Sequence, residues 1–157
     1  MSYIDTVSLF ASPPEFAGKV NLRTSKSVIT ELINKAEQTI FITCYELSYD
    51  YVANLFVKAK NRGVKVTVYI DDNEEDRIMR SLKNIELLKS NGIRVVRQSK
   101  LVNHTKSIIV DRRIGIIGSA NFTYSGINNN LEIGVLIEGN TCNHYVDKFI
   151  MGLEGMS

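Results

Sequence analysis

The chain has 157 residues, 44% apolar and 23% charged, with a net charge of +2, an ordinary globular composition that supports one soluble domain. Its first twenty residues hold only Val7, Leu9, Phe10 and Ala11 as an apolar cluster before Pro13-Pro14, which argues against a signal peptide or membrane span and makes the cytoplasm the expected location. Two cysteines, Cys44 and Cys142, are too few for a disulfide framework and lack zinc-site spacing, so both are read as reduced and structural.

In chain order, Ser27–Ala36 carries Val28, Ile29, Leu32, Ile33 and Ala36 at helical spacing, and Thr39–Tyr45 reads as a strand. Helical stepping returns over Tyr51–Lys60 with Val52, Leu55, Phe56 and Ala59, and Asn61-Arg62-Gly63 stops it. Val64–Ile70 is the next strand. The acidic run Asp71–Asp76 is read as opening a helix, because acidic side chains favour a helix N-terminus. Ile78, Leu82, Ile85 and Leu88 form its buried stripe and Asn91-Gly92 ends it. After a short strand at Ile93–Val96, two β-branched runs, Ser107–Val110 and Ile114–Ile117, are predicted to pair as a hairpin about Arg112-Arg113. Leu131–Ile137 is a further strand, and Asn140 or Thr141 is expected to cap a last helix through Gly152. Strands alternating with helices predict an α/β sandwich.

Charge is uneven along this order. Residues 71–76 carry five acidic side chains and no basic one, whereas 77–113 carry ten basic and two acidic. The basic set is Arg77, Arg80, Lys83, Lys89, Arg94, Arg97, Lys100, Lys106, Arg112 and Arg113. Such a cluster attracts a polyanion, although a solvated helix face and loop explain it equally well on charge alone.

That segment runs into the chain's chemical motif: His104-Thr105-Lys106, then Asp111, then Gly118-Ser119-Ala120-Asn121, and further on Asn130 and Glu132. It offers a nucleophile, a fixed cation, and hydroxyl and amide donors, the parts needed to attack a phosphodiester. Alternation along a strand puts His104 and Lys106 on one face, and likewise Ser119 and Asn121, and Asn130 and Glu132. With Arg112-Arg113 as a two-residue turn, Lys106 falls opposite Ser119 and His104 opposite Asn121, so that four polar groups converge. Arg-Arg is a poor two-residue turn, and a longer one would shift this register.

Plainer readings exist for each part. A single strand histidine is usually structural, Lys106 alone would be a surface lysine, and Asn121 a turn residue. Gly115-Ile116-Ile117-Gly118 has the letters of a nucleic-acid clamp, but its isoleucines read as buried strand. Asn103-His104-Thr105 and Asn121-Phe122-Thr123 fit the glycosylation pattern without a secretory context. His144 near Cys142 reads as a surface or capping residue, and the acidic run as helix-start chemistry in preference to a metal site. The joint spacing of the motif is what outweighs these readings.

H-x-K, four residues, Asp, six residues and G-S-x-N resembles the HKD signature of the phospholipase D superfamily, matched here by His104, Lys106, Asp111, Gly118, Ser119 and Asn121. A strand near Val7–Phe10 followed by Ser-Pro, the Lys60–Val64 turn and the Val68–Asp71 strand end are similar to the small Nuc-type endonucleases, which carry one motif per chain. The resemblance implies one domain over 1–157, a mixed β-sheet flanked by helices on both faces. It also implies a phosphohistidine intermediate at His104 and a homodimer that brings two copies of the motif into one site. Lys106 and Asn121, assisted by Ser119, would bind non-bridging phosphate oxygens. Glu132 resembles the carboxylate that orients the histidine, Asp111 takes a more structural part in the catalytic set, and no metal or other cofactor is implied. Candidate substrate-binding residues are Lys106, Ser119, Asn121 and Asn130, with Lys100 and Arg97 from the basic segment. The expected function is a metal-independent, low-specificity nuclease acting on DNA or RNA. The alternatives are a phospholipid-directed phosphodiesterase or phosphatidyl transferase, for which no membrane-binding stretch stands out, and a non-catalytic nucleic-acid-binding module.

Overall fold

A computed structural model describes residues 5–156, without the side chains of Thr141, Cys142 and Tyr145, so the reading of Cys142 lies outside the described residues. The elements are β1 (Thr6–Ser12), α1 (Pro14–Lys19), β2 (Arg23–Thr24), α2 (Ser25–Asn34), β3 (Thr39–Cys44), α3 (Asp50–Asn61) and β4 (Lys65–Asp71). They continue with α4 (Glu75–Ser90), β5 (Arg94–Gln98), β6 (Ser107–Val110), β7 (Ile114–Gly118), α5 (Tyr124–Asn128), β8 (Glu132–Glu138) and α6 (Asn140–Glu154). All the strands join one sheet in the order β2-β1-β8-β7-β6-β3-β4-β5. The β3, β4 and β5 strands run parallel, as do β1 and β2, while β6, β7 and β8 are antiparallel to their neighbours.

Local chemistry sets the helix ends. The Thr24 side chain accepts the Ser27 N–H to cap α2, and α3 and α4 stop at Gly63 and Gly92, whose φ of +94° and +77° suits glycine. The acidic run does not open α4 as a unit. Asp71 finishes β4, buried, and the helix begins at Glu75. At the last helix Gly139 occupies the N-cap and Asn140 is already helical. The short elements α1, β2 and α5 are too brief to carry a readable hydrophobic period.

Alternation divides the sheet into two faces. Ile40, Ile42, Cys44, Val66, Val68, Ile70, Ile108, Val110 and Ile116 join the buried residues of α2, α3, α4 and α5 in one core. Cys44 is a free thiol there, pushed well above the ordinary cysteine range by burial first of all. The opposite face is partly covered by α6, whose Val146 and Phe149 line a groove with Ile109, Ile117 and Ile137 and whose Glu154 accepts from Tyr69 and Arg94. The expected mixed sheet with helices on both faces is therefore present. The cover stops short, however, and Val7, Leu9, Ile117 and Ile133 are 65, 45, 59 and 56% exposed on β1, β7 and β8.

The β6–β7 hairpin forms, but one residue out of the expected register. Val110 pairs with Ile114 and Ser107 with Ile117, so the turn is Asp111-Arg112-Arg113 and Lys106 falls opposite Gly118, whose N–H donates to its carbonyl at 3.3 Å. Asp111 and Arg112 both adopt left-handed backbone, φ +52° and +58°. Hydrogen bonds hold Asp111 there: its carboxylate accepts the N–H groups of Glu37, Gln38 and Thr39 at 3.0, 2.7 and 2.9 Å. The aspartate is thus withdrawn from the strand, which lengthens the turn.

Candidate active site

His104 and Lys106 lie in the segment that enters β6, outside the ladder, so something other than strand pairing must hold them. Asn103 does so. Its backbone N–H donates to Asp71 at 2.7 Å, its Nδ2 to the Tyr69 carbonyl at 3.2 Å and to Gln98 Oε1 at 2.6 Å, and its Oδ1 accepts from Thr105. With its amide engaged and only 8% of the residue exposed, Asn103 cannot serve as a glycosylation acceptor. One residue after the motif, Ser107 Oγ and Thr43 Oγ1 share a buried hydrogen bond of 2.6 Å.

Between these anchors His104 is exposed. Lys106 Nζ lies 3.2 Å from His104 Nδ1 and donates to the His104 carbonyl at 2.8 Å. Partial burial lowers the Lys106 ammonium below the ordinary lysine range, opposed by the Glu132 carboxylate and Cys44. The second half of the motif comes from the end of β7. A Cβ on Gly118 would stand 2.9 Å from the Ile133 carbonyl oxygen and 3.0 Å from the Gly134 Cα, so glycine permits β7 and β8 to close beneath the site. Ser119 then binds β8 directly: its Oγ donates to Glu132 and accepts the Ile133 N–H at 3.1 Å. Among the described residues, the buried Asn121 Oδ1 has no hydrogen-bond partner. A Cβ on Gly126 would lie 2.3 Å from the Asn121 carbonyl oxygen. The next residue, Phe122, accepts the N–H groups of Ser48 and Tyr49 through its carbonyl.

His104 and Lys106 are therefore in contact, as are Ser119 and Glu132, with Lys106 feeling the Glu132 charge. Within one chain Glu132 bonds Ser119 and not His104. Asp111 sits at the far end of β6, and Asn130 lies in the turn before β8, its carbonyl accepting from Ser12 Oγ. Arg97 and Lys100 line a separate cleft of about 500 Å³ beside Asn103 and Thr105, together with Lys148.

The basic segment is less of a free cationic surface than its composition suggests. Arg77 is buried against Asp71 and Glu74, while Arg80 pairs with Glu46, Lys83 with Asp50, Arg94 with Glu154, Arg97 with Asp72 and Arg112 with Asp147. Most partners are distant in sequence, which is why the tally could not register them. The charge reading also missed Tyr45 and Arg77 as neighbours of the site. The Tyr45 and His104 ring centroids are 4.5 Å apart, and the Arg77 guanidinium lies 3.5 Å from the Tyr45 ring centroid. Among the described residues no group of three or more His, Cys, Asp or Glu side chains is arranged to hold a metal ion, and no helix is long and apolar enough to cross a membrane.

Residues 29–152 match the profile of the family described as cardiolipin synthase, PLD-like domain. The chain is 34% identical over 126 residues to the DISARM protein DrmC of Bacillus paralicheniformis, covering 76% of this chain and 52% of that protein. It is 33% identical over 111 residues to a phospholipase D of Rickettsia prowazekii, covering 70% and 53% respectively. It thus spans about half the length of these curated relatives. Among solved structures it superposes on Nuc of Salmonella typhimurium, a phospholipase D family member, with a TM-score of 0.79 and 25% identity, covering 98% of this chain and 94% of that one. Profile, fold and the spacing of His104, Lys106, Ser119 and Asn121 agree: the chain belongs to the phospholipase D superfamily.

Proposed function

We propose that this protein is a metal-independent phosphodiesterase, a low-specificity endonuclease whose active site is shared by two copies of the chain. The observation that carries the dimer is the half-covered sheet. His104 opens onto an apolar groove of about 630 Å³ lined by Ile109, Ile117, Ile137, Val146 and Phe149, continuous with the exposed Val7, Leu9 and Ile133. A second copy laid on that face buries it and supplies the second imidazole that one chain lacks.

In this reading a neutral His104 attacks phosphorus, the bond to the leaving oxygen breaks, and the partner copy's protonated His104 donates to that oxygen. Water then attacks the phosphohistidine, giving its proton to the second imidazole and regenerating the nucleophile. Lys106 and Asn121 stabilise charge on the non-bridging oxygens, with Ser119 held by Glu132. An ammonium can only donate, so with Lys106 facing Nδ1 a neutral His104 carries its proton on Nε2. Attack from Nε2 therefore requires Lys106 to turn to the phosphate, which couples substrate binding to nucleophile activation.

Nucleic acid is favoured because Arg97, Lys100 and Lys148 border a cleft beside the motif, suited to a polyanion extending past the reacting phosphate. The match to cardiolipin synthase and phospholipase D relatives supports a second reading, a phosphodiesterase or phosphatidyl transferase acting on phospholipid. A panel of single- and double-stranded DNA, RNA and phospholipid vesicles, run with millimolar chelator, separates them. Nucleic-acid cleavage is expected to persist in chelator and to fall by at least ~10³-fold in His104→Ala. Turnover of vesicles alone selects the lipid reading, loss in chelator ends the metal-free mechanism, and binding without turnover in either protein leaves a non-catalytic module.

A further inference from the structure

We propose that Tyr45 is a positioning residue for His104, tying the imidazole to the buried Asp71–Arg77 ion pair; this rests on the reading of His104 as the nucleophile. Tyr45 directly follows β3, half-buried, its ring tilted 59° to His104 at a centroid distance of 4.5 Å, within the range of favourable aromatic contacts. Arg77 lies 3.5 Å from the Tyr45 ring centroid, donates to Tyr45 Oη and pairs with Asp71. The paired side chains of Arg77 and Asp71 are 4% and 0% exposed.

A buried ion pair adds little net stability compared with apolar residues of the same volume, but its geometry is stiff, and here both ends reach the nucleophile. The Asp71 carboxylate accepts the backbone N–H of Asn103, the residue before His104, at 2.7 Å. Arg77 holds the ring that faces the imidazole. Helix α4 fixes the loop that carries Tyr45: Ser81 Oγ accepts the Leu47 N–H at 2.9 Å, and Asn84 Nδ2 donates to the Leu47 carbonyl at 3.1 Å. Lys106 Nζ, 5.3 Å from the Tyr45 ring centroid, brackets the same ring from the motif. Once Lys106 turns from Nδ1 to the phosphate, an exposed histidine on an irregular segment would be free to rotate, and Tyr45 removes that freedom.

The test compares Tyr45→Phe and Tyr45→Leu with wild type in two readouts: steady-state kinetics on bis(p-nitrophenyl) phosphate, and the His104 ring-proton resonances. Tyr45→Phe keeps the ring, so kcat should stay within about threefold and the resonances should hold. Tyr45→Leu should lower kcat by about 10–100-fold with KM changed less than about threefold, and its His104 protons should lose their ring-current shift. Should Tyr45→Leu not fold, Tyr45→Met, with a flexible side chain that fills the gap, carries the same expectations. A folded Tyr45→Leu or Tyr45→Met variant with wild-type kcat overturns the proposal, since a moved resonance alone reports only the lost neighbouring ring. Wild type without phosphodiester turnover defeats the phosphodiesterase reading instead, and the order of the His104 ring, read from its NMR relaxation in wild type and Tyr45→Leu, then decides: unchanged order overturns the proposal.

Discussion

Lys106 shows how the site trades stability for charge. Because burial favours its neutral form, the folded chain releases this proton at lower pH than the unfolded chain does. Stability from this residue therefore rises as pH climbs from the lowered folded value towards the ordinary ~10.4 of lysine, and at neutral pH the partly buried cation is a burden. Lys106→Met should melt at the same temperature as wild type or higher, lose the alkaline rise in stability, and cleave phosphodiesters at least ~10²-fold more slowly. Thermal melts across pH 7–10 beside initial rates check it; a variant that melts clearly lower would show that Lys106 supports the fold.

Among the elements, the β6–β7 hairpin separates the parts of the motif by role. Asp111 carries the third letter of the signature, yet its carboxylate serves three backbone N–H groups at the entrance to β3 from a left-handed turn. Asp111→Ala should cost about 2–3 kcal/mol in urea unfolding, from the lost charge-assisted hydrogen bonds that hold the residue in its left-handed conformation. Its kcat per folded molecule should stay within about threefold of wild type; a large fall in kcat would return Asp111 to the chemistry. The same turn marks the limit of what was legible in the sequence. Apolar and β-branched runs located β3, β4, β6, β7 and β8, which lie in the sheet between helices, and the helical period located α2, α3 and α4, which bury one face against a single core. The hairpin register was not legible, since the left-handed turn depends on Glu37–Thr39, far away in sequence. The joint spacing of His104, Lys106, Ser119 and Asn121 was readable, whereas the support from Asn103, Tyr45 and Arg77 was not, because each reaches its partner through tertiary contact. The acidic run misled for that reason too: Asp71 belongs with Arg77 and Asn103, and its neighbours only partly with the helix.

At the scale of the whole molecule, the uncovered half of the sheet and the single imidazole make one joint prediction. Ile133 is 56% exposed on β8, its side chain on the face opposite Gly134 and the core. A charge there should leave the protomer folded and forbid a partner. Ile133→Glu should sediment as a monomer, keep its circular dichroism, and lose at least ~10²-fold in cleavage. A fully active monomer would mean that each chain completes its own site. Along the chain, Ser12 at the end of β1 faces Glu132 at the start of β8, about 120 residues later, and Ser119 finds its carboxylate only on that last strand. During synthesis, β1 can pair early with β2, but its antiparallel partner β8 is made only after every other strand of the sheet. A nascent chain arrested before β8 displays His104 without the Ser119–Glu132 bridge or a finished sheet, so the site is assembled only once β8 has been made.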